Sequence, residues 1–288
     1  MGDLFGGHAL LTGGLAKGAL AYADRVGARS VQVYIGNPRG WARTDGDPRQ
    51  DEAFAAGCAD RGIPAFVHAP LLTNLGSPTP ETVAHSAQAL VHCLNRGRAI
   101  GAEAVVFHAG SAVDAAHTDQ AWRQVRETLL PILDEAQRLG GPRLLVEPSA
   151  GGGRSLASRV EHLADYFTAV DAHPWLGVCF DTCHAMSAGH DLGRPGGMTE
   201  TLDALVAAVG SDRLLLVHAN DSKDPAGSTR DRHENLGKGT IGLAAFGEML
   251  AHPAVAGKPV IVETPGDGHA DDLLALRQVA VAPVTDLA

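Results

Sequence analysis

The sequence has few cysteines for its length, and their placement does not suit a disulfide framework. Its 288 residues include four, Cys58, Cys93, Cys179 and Cys183, with no CxxC pair and no regular spacing. Secreted domains that depend on disulfides are usually small and dense in cysteine. We therefore predict four reduced thiols and a cytoplasmic protein.

Long apolar runs and a surplus of basic residues are also lacking. No stretch approaches the roughly 18 uninterrupted apolar residues of a transmembrane helix, and the N-terminal MGDLFGGHALLTGG has no basic segment before a long apolar run. These absences argue against membrane insertion and secretion. The formal net charge of −10 argues against a protein that coats nucleic acid through bulk positive charge. It does not exclude nucleic acid as a substrate, because divalent cations bound in a cleft would each add about two charges.

The common nucleophile and nucleotide motifs are missing. GxSxG and HExxH do not occur, and the glycine-rich PSAGGGRS matches neither a Walker A loop nor a GxGxxG fingerprint. We interpret that glycine run as a tight turn after the fifth strand, with a helix starting by Ser155.

Eight short apolar, β-branched runs are present, and each is followed by a longer stretch with helical spacing. Repeated β-then-α units predict a parallel sheet, and strands that are apolar nearly throughout are typical of a closed barrel covered by helices. The length suits one such barrel. We predict an α/β fold, a single-domain (β/α)8 TIM barrel over residues 1–288 with an ordered core of about 4–278. The predicted strands are 4–10, 30–35, 65–68, 104–108, 143–147, 176–181, 213–218 and 259–263.

Three segments rich in Gly, Pro and polar residues are predicted to be loops that directly follow a strand: GNPRGWARTDGDPRQ, GHDLGRPGGMTE and NDSKDPAGSTRDRHENLGKG. Loops in that position lie at the carboxyl ends of the strands. Barrel enzymes keep their active sites at this face.

Metal-ligand residue types recur at the ends of the predicted strands. A single buried histidine is usually a core residue, but six equivalent positions favour a metal cluster, because buried charges are usually paired or bound to metal. Two following loops supply three more candidates. The nine are His68, His108, Glu147, Asp181, His184, His218, Asp231, His233 and Glu263.

Nine ligands are too many for one ion and suit two or three. Imidazole and carboxylate ligands without thiolate favour catalytic Zn²⁺, with Mn²⁺ or Fe as alternatives at one site. Cys179 and Cys183 flank Asp181, and we interpret both as packing residues. His8 ends the first strand, where it is either a partner of the ligands or a packing residue. Such a cluster is suited to displacement at phosphorus.

The chain resembles the endonuclease IV family, bacterial deoxyribonuclease IV enzymes that act on apurinic/apyrimidinic sites. The resemblance runs from GGHALLTGGLAKGA to VIVETPG, almost the whole length, and its motifs are HAPLLTNLGSP, FHAGS, VEPSAGGG, GVCFDTCHAMSAGHDL and HANDSKDPAGSTRDRHENLGKGTIG. It implies three zinc ions. The first would be held by His68, His108 and Glu147, the second by Glu147, Asp181, His218 and Glu263, and the third by His184, Asp231 and His233.

The resemblance also implies the reaction. We expect hydrolysis of the phosphodiester 5′ to an abasic site in duplex DNA, leaving a 3′-hydroxyl, with trimming of blocked 3′ ends during base excision repair. Glu147 and Glu263 are the expected catalytic residues. Damaged double-stranded DNA is the expected partner of a monomeric protein.

The predicted DNA contacts are Arg39, Leu71, Asn220 and Lys223. Arg39 in GNPRGW matches an arginine that the family inserts into DNA, whereas Leu71 replaces the usual tyrosine. An apolar side chain can still unstack a base step. Asn220 could instead orient a ligand, and Lys223 could be a solvated lysine. Pro148 replaces the usual asparagine after the glutamate, which removes a side-chain hydrogen bond.

Two other functions remain open from the residues. A sugar isomerase or epimerase on a related barrel needs one metal, which Glu147, Asp181, His218 and Glu263 would hold. The other five ligand types would then have no role, which favours the nuclease. A non-catalytic protein that shields DNA lesions is the second alternative, and the intact ligand set argues against it.

Overall fold

The computed structural model describes residues 3–281, and residues 1–2 and 282–288 of the predicted domain lie outside this range. Eight parallel strands close into a barrel in the order β1-β10-β7-β6-β5-β4-β3-β2. The predicted (β/α)8 barrel is therefore confirmed. The barrel strands are β1 Phe5–His8, β2 Val31–Val33, β3 Ala65–His68, β4 Ala104–His108, β5 Arg143–Glu147, β6 Leu176–Asp181, β7 Leu214–His218 and β10 Val260–Val262. Two further strands, β8 Asp221–Ser222 and β9 His233–Glu234, form an antiparallel hairpin outside the barrel.

Four strands are shorter than predicted, by one to three residues in all at their two ends. The first, second, seventh and last runs each lose residues at their ends, while the other four match the expected bounds. The change matters at the last strand, where Glu263 lies one residue beyond β10.

Nine α-helices surround the barrel in the described residues: α1 Leu20–Val26, α2 Pro48–Arg61, α3 Pro80–Ala99, α4 Thr118–Arg138, α5 Leu163–Ala169, α6 Thr182–Ser187, α7 Gly197–Val209, α8 Leu243–Ala251 and α9 His269–Val281. Local sequence explains several of their ends. The Asp47 side chain accepts a hydrogen bond from the Arg49 N–H at the start of α2, and Gly62 ends that helix at φ 61°. Within residues 3–281, none of the helices has the length and apolar character needed to cross a bilayer.

The core has two layers that follow from the alternation of side chains along the strands. Buried residues of the helices pack on the outward-facing strand residues. A smaller apolar cluster fills the inside of the barrel and consists of Phe66, Ala104, Val106, Leu145, Cys179, Leu216 and Ile261. The inside of the barrel is thus packed with apolar side chains, which form a floor beneath the carboxyl ends of the strands.

Two details of the predicted connections are wrong. Ser155 does not start a helix; it bridges to Ser111, and the next helical turn begins at Val160. The segment 189–200 does not follow a strand directly, because the short helix α6 lies between β6 and this loop. The first error lies in a glycine-rich segment that pairs with a neighbouring loop, and the second arises because α6 is only six residues long.

Candidate metal centre

The six strand-end candidates stand in one layer above the apolar floor of the barrel. The residue two positions before each of them belongs to the inner cluster: Phe66, Val106, Leu145, Cys179, Leu216 and Ile261. Because side chains alternate along a strand, the candidates also face the barrel axis. The strand register brings them level, since His108 pairs with Glu147 and Asp181 pairs with His218.

Glu147 lies at the centre of this layer and is fully buried. Its Oε2 lies 3.2 Å from His68 Nε2 and 3.4 Å from His108 Nε2, while its Oε1 lies 3.0 Å from His218 Nδ1. Burial alone would raise the pKa of Glu147, but the charge of His218 and hydrogen bonds to His218 and His68 hold this pKa well below its usual range. The two oxygens face different histidines, which is the arrangement a bridging carboxylate needs.

Asp181, His218 and Glu263 form a second group with Glu147. His218 Nδ1 lies 3.2 Å from Glu263 Oε2 and 3.9 Å from Asp181 Oδ2. Asn220 links two members of the group, because its Nδ2 donates to Asp181 Oδ2 at 2.7 Å and its Oδ1 accepts from the Glu263 N–H at 2.8 Å. The Asn220 side chain is fully buried and its hydrogen bonds are made inside the protein, which favours its interpretation as a residue that orients ligands over that of a DNA contact.

The third group comes from a helix start and a loop. In DTCH, Asp181 Oδ1 accepts the His184 N–H at 2.8 Å and caps α6, so the motif places the imidazole beside the carboxylate. Asp231 Oδ1 lies 3.3 Å from His184 Nε2 and 3.0 Å from His233 Nε2. Burial lowers the pKa of His184, but the charge of Asp181 and the hydrogen bond to Asp231 outweigh it and raise the pKa well above its usual value.

Main-chain carbonyls orient three of the histidines. His68 Nδ1 donates to the Ala69 carbonyl at 2.7 Å, His184 Nδ1 to the Pro148 carbonyl at 3.0 Å, and His233 Nδ1 to the Glu263 carbonyl at 3.2 Å. A histidine ligand generally donates its other ring N–H in this way. Pro148, which departs from the family pattern, thus contributes through its backbone oxygen.

The donor set fits a cluster of metal ions. Ligand atoms lie within 4.8 Å of one another in the group of His68, His108 and Glu147, in the group of Glu147, Asp181, His218 and Glu263, and in the group of Asp181, His184 and His233. Buried carboxylates that face so many imidazoles are otherwise uncommon without an ion. Burial raises the pKa of the Cys179 and Cys183 thiols to about 12, which agrees with their interpretation as packing residues.

Asp221 organises the loop that carries Asp231 and His233. Its buried carboxylate accepts main-chain N–H groups from Gly237 at 2.9 Å, Gly239 at 3.1 Å and Ile241 at 2.9 Å. A Cβ on Gly239 would lie 2.4 Å from Asp221 Oδ1, so only glycine fits there. This packing accounts for the GKGTIG end of the long motif.

Two residues of the site go beyond the nine candidates. His8 Nδ1 lies 3.1 Å from Glu263 Oε1, so the structure favours the partner role over simple packing. Gln32 lies in β2, is fully buried, and hydrogen-bonds to both Glu263 and His218. A polar residue inside the apolar run VQV is the sequence signal that could have identified it.

Of the remaining DNA-contact candidates, Arg39 and Leu71 line an open cleft of about 550 Å³ together with metal-centre residues, including His68 and Asp231. The Leu71 N–H donates to the Pro38 carbonyl at 2.8 Å, which fixes the two loops together. Lys223 is exposed and its Nζ lies 3.9 Å from Glu234 Oε2.

A family model and the sequences of related proteins identify the same family for this chain. The model of the family described as xylose isomerase-like TIM barrel matches residues 20–280. The chain is 52% identical over 276 residues to a probable endonuclease 4 of Streptomyces coelicolor, covering 95% of this chain and 94% of the relative. It is 54% identical to the Streptomyces avermitilis protein of the same name, covering 95% and 89%.

Solved structures agree and also show how widely the fold is used. The crystal structure of endonuclease IV from Thermus thermophilus superposes with a TM-score of 0.84 at 34% identity, covering 96% of this chain and 98% of that one. A D-tagatose 3-epimerase-like protein superposes with a TM-score of 0.72 at 17% identity, covering 98% of each chain, and shows the fold alone. On its sequence identity, its coverage and its barrel, the chain belongs to the endonuclease IV family of xylose isomerase-like TIM barrels.

Proposed function

We propose that this protein is a zinc-dependent apurinic/apyrimidinic endonuclease that hydrolyses the phosphodiester 5′ to abasic sites in duplex DNA and leaves a 3′-hydroxyl. Family membership supports a DNA-cleaving hydrolase of DNA repair. The observation that carries the finer proposal is the convergence of nine imidazole and carboxylate side chains in linked groups at the carboxyl end of the barrel. Trimming of blocked 3′ ends at the same centre, action as a monomer and a cytoplasmic location complete the proposal.

The residues assigned to the first two ions follow the observed groups, and those assigned to the third follow the close contacts of Asp231 with two histidines. His68, His108 and Glu147 would hold the first ion, and Asp181, His218 and Glu263 would complete the second together with Glu147. His184, Asp231 and His233 would hold the third. Bound zinc would act as a Lewis acid and would lower the pKa of a bound water to about 7. Mn²⁺ or Fe at one site suits the same ligands.

The protein's own groups set the position and charge of the site. Glu147 and Glu263 are the proposed catalytic residues, because both carboxylates belong to one group of potential ligands and the pKa of each lies below its usual value. For Glu263, burial opposes this shift and the charge of His218 and a hydrogen bond to His8 produce it. Both groups therefore stay ionised at neutral pH, as metal ligands must.

Damaged double-stranded DNA is the proposed partner, and Arg39 and Leu71 are its proposed contacts. Both residues lie at the rim of the cleft that leads to the ligands. A cationic and an apolar side chain there could engage the phosphate backbone and an unstacked base step. Lys223 is a further proposed phosphate contact, which would have to give up its weak pairing with Glu234.

The single-metal sugar isomerase is the less favoured function. Glu147, Asp181, His218 and Glu263 do converge as such an enzyme requires. However, His68 and His108 contact the opposite oxygen of Glu147, and His184, Asp231 and His233 form a group of their own. A single-metal enzyme gives these five residues no role.

The test combines elemental analysis of the purified protein with cleavage of a duplex oligonucleotide that contains one tetrahydrofuran abasic analogue. We expect about three zinc ions per chain, as the nine ligands imply, and a single cut 5′ to the analogue. The same duplex without the analogue is the matched control. One metal ion per chain and an uncut duplex would overturn the proposal in favour of the isomerase.

A further inference from the structure

Gln32 is a fully buried polar residue in the middle of strand β2, between the fully buried Val31 and Val33. A buried amide without partners would destabilise the fold, so its hydrogen bonds indicate its role. Gln32 is neither a metal-ligand type nor exposed to substrate. All of its side-chain partners lie in the metal centre.

Two of those partners fix how the amide is oriented. The Gln32 Nε2 lies 2.7 Å from Glu263 Oε1, and the Gln32 Oε1 lies 2.9 Å from His218 Nε2. An ionised carboxylate only accepts hydrogen bonds, so the amide NH₂ must face Glu263. The amide carbonyl then faces His218, and its partner there must be an N–H. His8 Nδ1, at 3.0 Å from the Gln32 nitrogen, closes the network.

The consequence is that His218 keeps a proton on Nε2, so Nδ1 is the ring nitrogen that can give up its proton to bind a metal ion. Its Nδ1 is directed at Glu147 Oε1 and Glu263 Oε2, at 3.0 Å and 3.2 Å. The orientation is opposite to that of His68, His184 and His233, whose Nδ1 atoms donate to main-chain carbonyls. His218 is therefore a histidine of the centre whose ring is oriented by a side chain, which a substitution can remove.

We propose that Gln32 is a positioning residue of the metal centre, which selects Nδ1 of His218 as the ligand atom and holds the Glu263 carboxylate in register with it. The proposal rests on the metal centre assigned above. Because one amide is bonded to two members of the same ligand group, its loss releases both at once. Partners of this kind typically contribute 10- to 100-fold to metal affinity.

The first experiment compares Gln32→Met with the wild-type protein. Methionine has a similar length and no amide, so the cavity stays filled while both hydrogen bonds are lost. Gln124→Met is the matched control, since Gln124 lies on α4 and its amide donates to the Leu75 and Ser77 carbonyls, away from the ligands. Zinc affinity is measured by competition with a chromogenic chelator, and folding by thermal unfolding of the metal-free proteins.

We expect Gln32→Met to weaken one of the bound ions about 10- to 100-fold. Gln124→Met should bind zinc as the wild type does. Wild-type affinity at every site in Gln32→Met would overturn the proposal. An equal loss in both variants, accompanied by lower thermal stability, would also overturn it, because the effect would then be one of general packing.

A second measurement needs no substitution. In zinc-loaded wild-type protein with ¹⁵N-labelled histidine, the ring nitrogen shifts identify the metal-bound atom of each imidazole. We expect His218 to bind through Nδ1, and His68, His184 and His233 through Nε2. Binding of His218 through Nε2 would overturn the proposal. Neither experiment measures cleavage, so a failure of the endonuclease assignment would appear only in the duplex assay.

Discussion

Glu147 is the residue whose contacts tie the most ligands together. Its oxygens lie within 3.4 Å of nitrogens of His68, His108, His184 and His218. Glutamine keeps the size of the side chain but removes the charge and one of the two acceptor oxygens. Only the carboxylate can serve two ions through separate oxygens.

We predict that Glu147→Gln lowers cleavage of the abasic duplex by at least about 10²-fold, the order that loss of one charge-stabilising group costs, and reduces the number of bound ions. The metal-free variant should stay folded but unfold below the wild-type temperature, because the buried imidazoles that face Glu147 lose their counter-charge. The exposed Glu127→Gln is the control variant. Near-normal cutting by Glu147→Gln would contradict the cluster.

Leu71 is 39% exposed at the rim of the cleft, where the family pattern has a tyrosine. We predict that Leu71→Tyr binds the abasic duplex several-fold more tightly, since base–aromatic stacking contributes about 1–3 kcal/mol. Fluorescence anisotropy with a labelled duplex and metal-free protein, which should not cut the DNA during the measurement, would measure this. Leu274→Tyr, at a 52% exposed site on α9, is the control. Equal binding by all three proteins would assign base unstacking to other loop residues.

The raised pKa of His233 leads us to expect that zinc uptake depends on pH. Burial lowers the pKa of His233, but the hydrogen bond to Asp231 and the charge of Asp181 outweigh this effect. Together they raise the pKa of the His233 imidazole to about 9 in the metal-free protein. This raised pKa stabilises the metal-free fold fully below the unfolded value of about 6.5, and the contribution is lost as pH rises through about 9. At neutral pH the imidazole must therefore lose a proton before it can bind zinc.

We predict that zinc binding at a pH of about 7.5 releases protons, and that affinity rises as the pH is raised toward about 9. Isothermal titration calorimetry in buffers of different ionisation enthalpy measures the number released. His233→Gln should release fewer protons than the wild type. The same number from both proteins would show that His233 is already neutral before zinc binds.

At the scale of elements, the sequence predicts the barrel strands well because each one carries its own signal. The six candidate ligands at the strand ends could be found from sequence for a similar reason, since each is a histidine or a carboxylate at or directly after the end of one of six barrel strands. The role of Gln32 could not be predicted from sequence, because it depends on contacts with His218 at the end of β7 and Glu263 just after β10. The burial of Asn220 likewise depends on neighbouring strands.

The loop between β8 and α8 shows the same limit. Its hairpin pairs Ser222 with His233, and the Asp224–Arg232 ion pair at 2.7 Å holds it closed. No local periodicity in the sequence predicts this two-residue pairing. The pairing depends on Asp221, whose carboxylate accepts hydrogen bonds from the main-chain N–H groups of Gly237, Gly239 and Ile241. The glycines of GKGTIG are the sequence feature that reflects this contact with Asp221.

We predict that Gly239→Ala loosens this loop and weakens the third metal site while leaving the barrel folded. The added Cβ would lie 2.4 Å from both Asp221 Oδ1 and the Ser222 carbonyl, and such overpacking costs about 1–3 kcal/mol. Hydrogen exchange should rise across 220–242. Gly141→Ala is the control, because its Cβ would meet nothing closer than 3.6 Å. Unchanged exchange in Gly239→Ala would mean that the loop relaxes without losing its anchor.

At the scale of the whole molecule, the same barrel serves a D-tagatose 3-epimerase-like protein and an endonuclease IV, so its shape alone does not decide the chemistry. The barrel's stability comes from its apolar layers, whose members are buried independently of the ligands. The polar layer contributes differently. Its carboxylates and imidazoles are close enough that ions would stabilise the folded chain by binding to it and not to the unfolded one.

Removal of the metals should therefore lower stability without abolishing the fold. A free ion at about 100 times its dissociation constant stabilises the folded state by about 2.7 kcal/mol per site, so the three proposed sites together contribute about 8 kcal/mol, or about 15 °C in Tm for a chain of this size. We predict a loss of this order with excess EDTA, with the far-ultraviolet circular dichroism spectrum unchanged at room temperature, and recovery when Zn²⁺ is restored. Complete unfolding in EDTA would show that the ions hold the barrel itself. An unchanged Tm in protein shown to have lost its zinc would mean that the polar layer is equally well satisfied without ions, and that the observed clustering of donors does not require them.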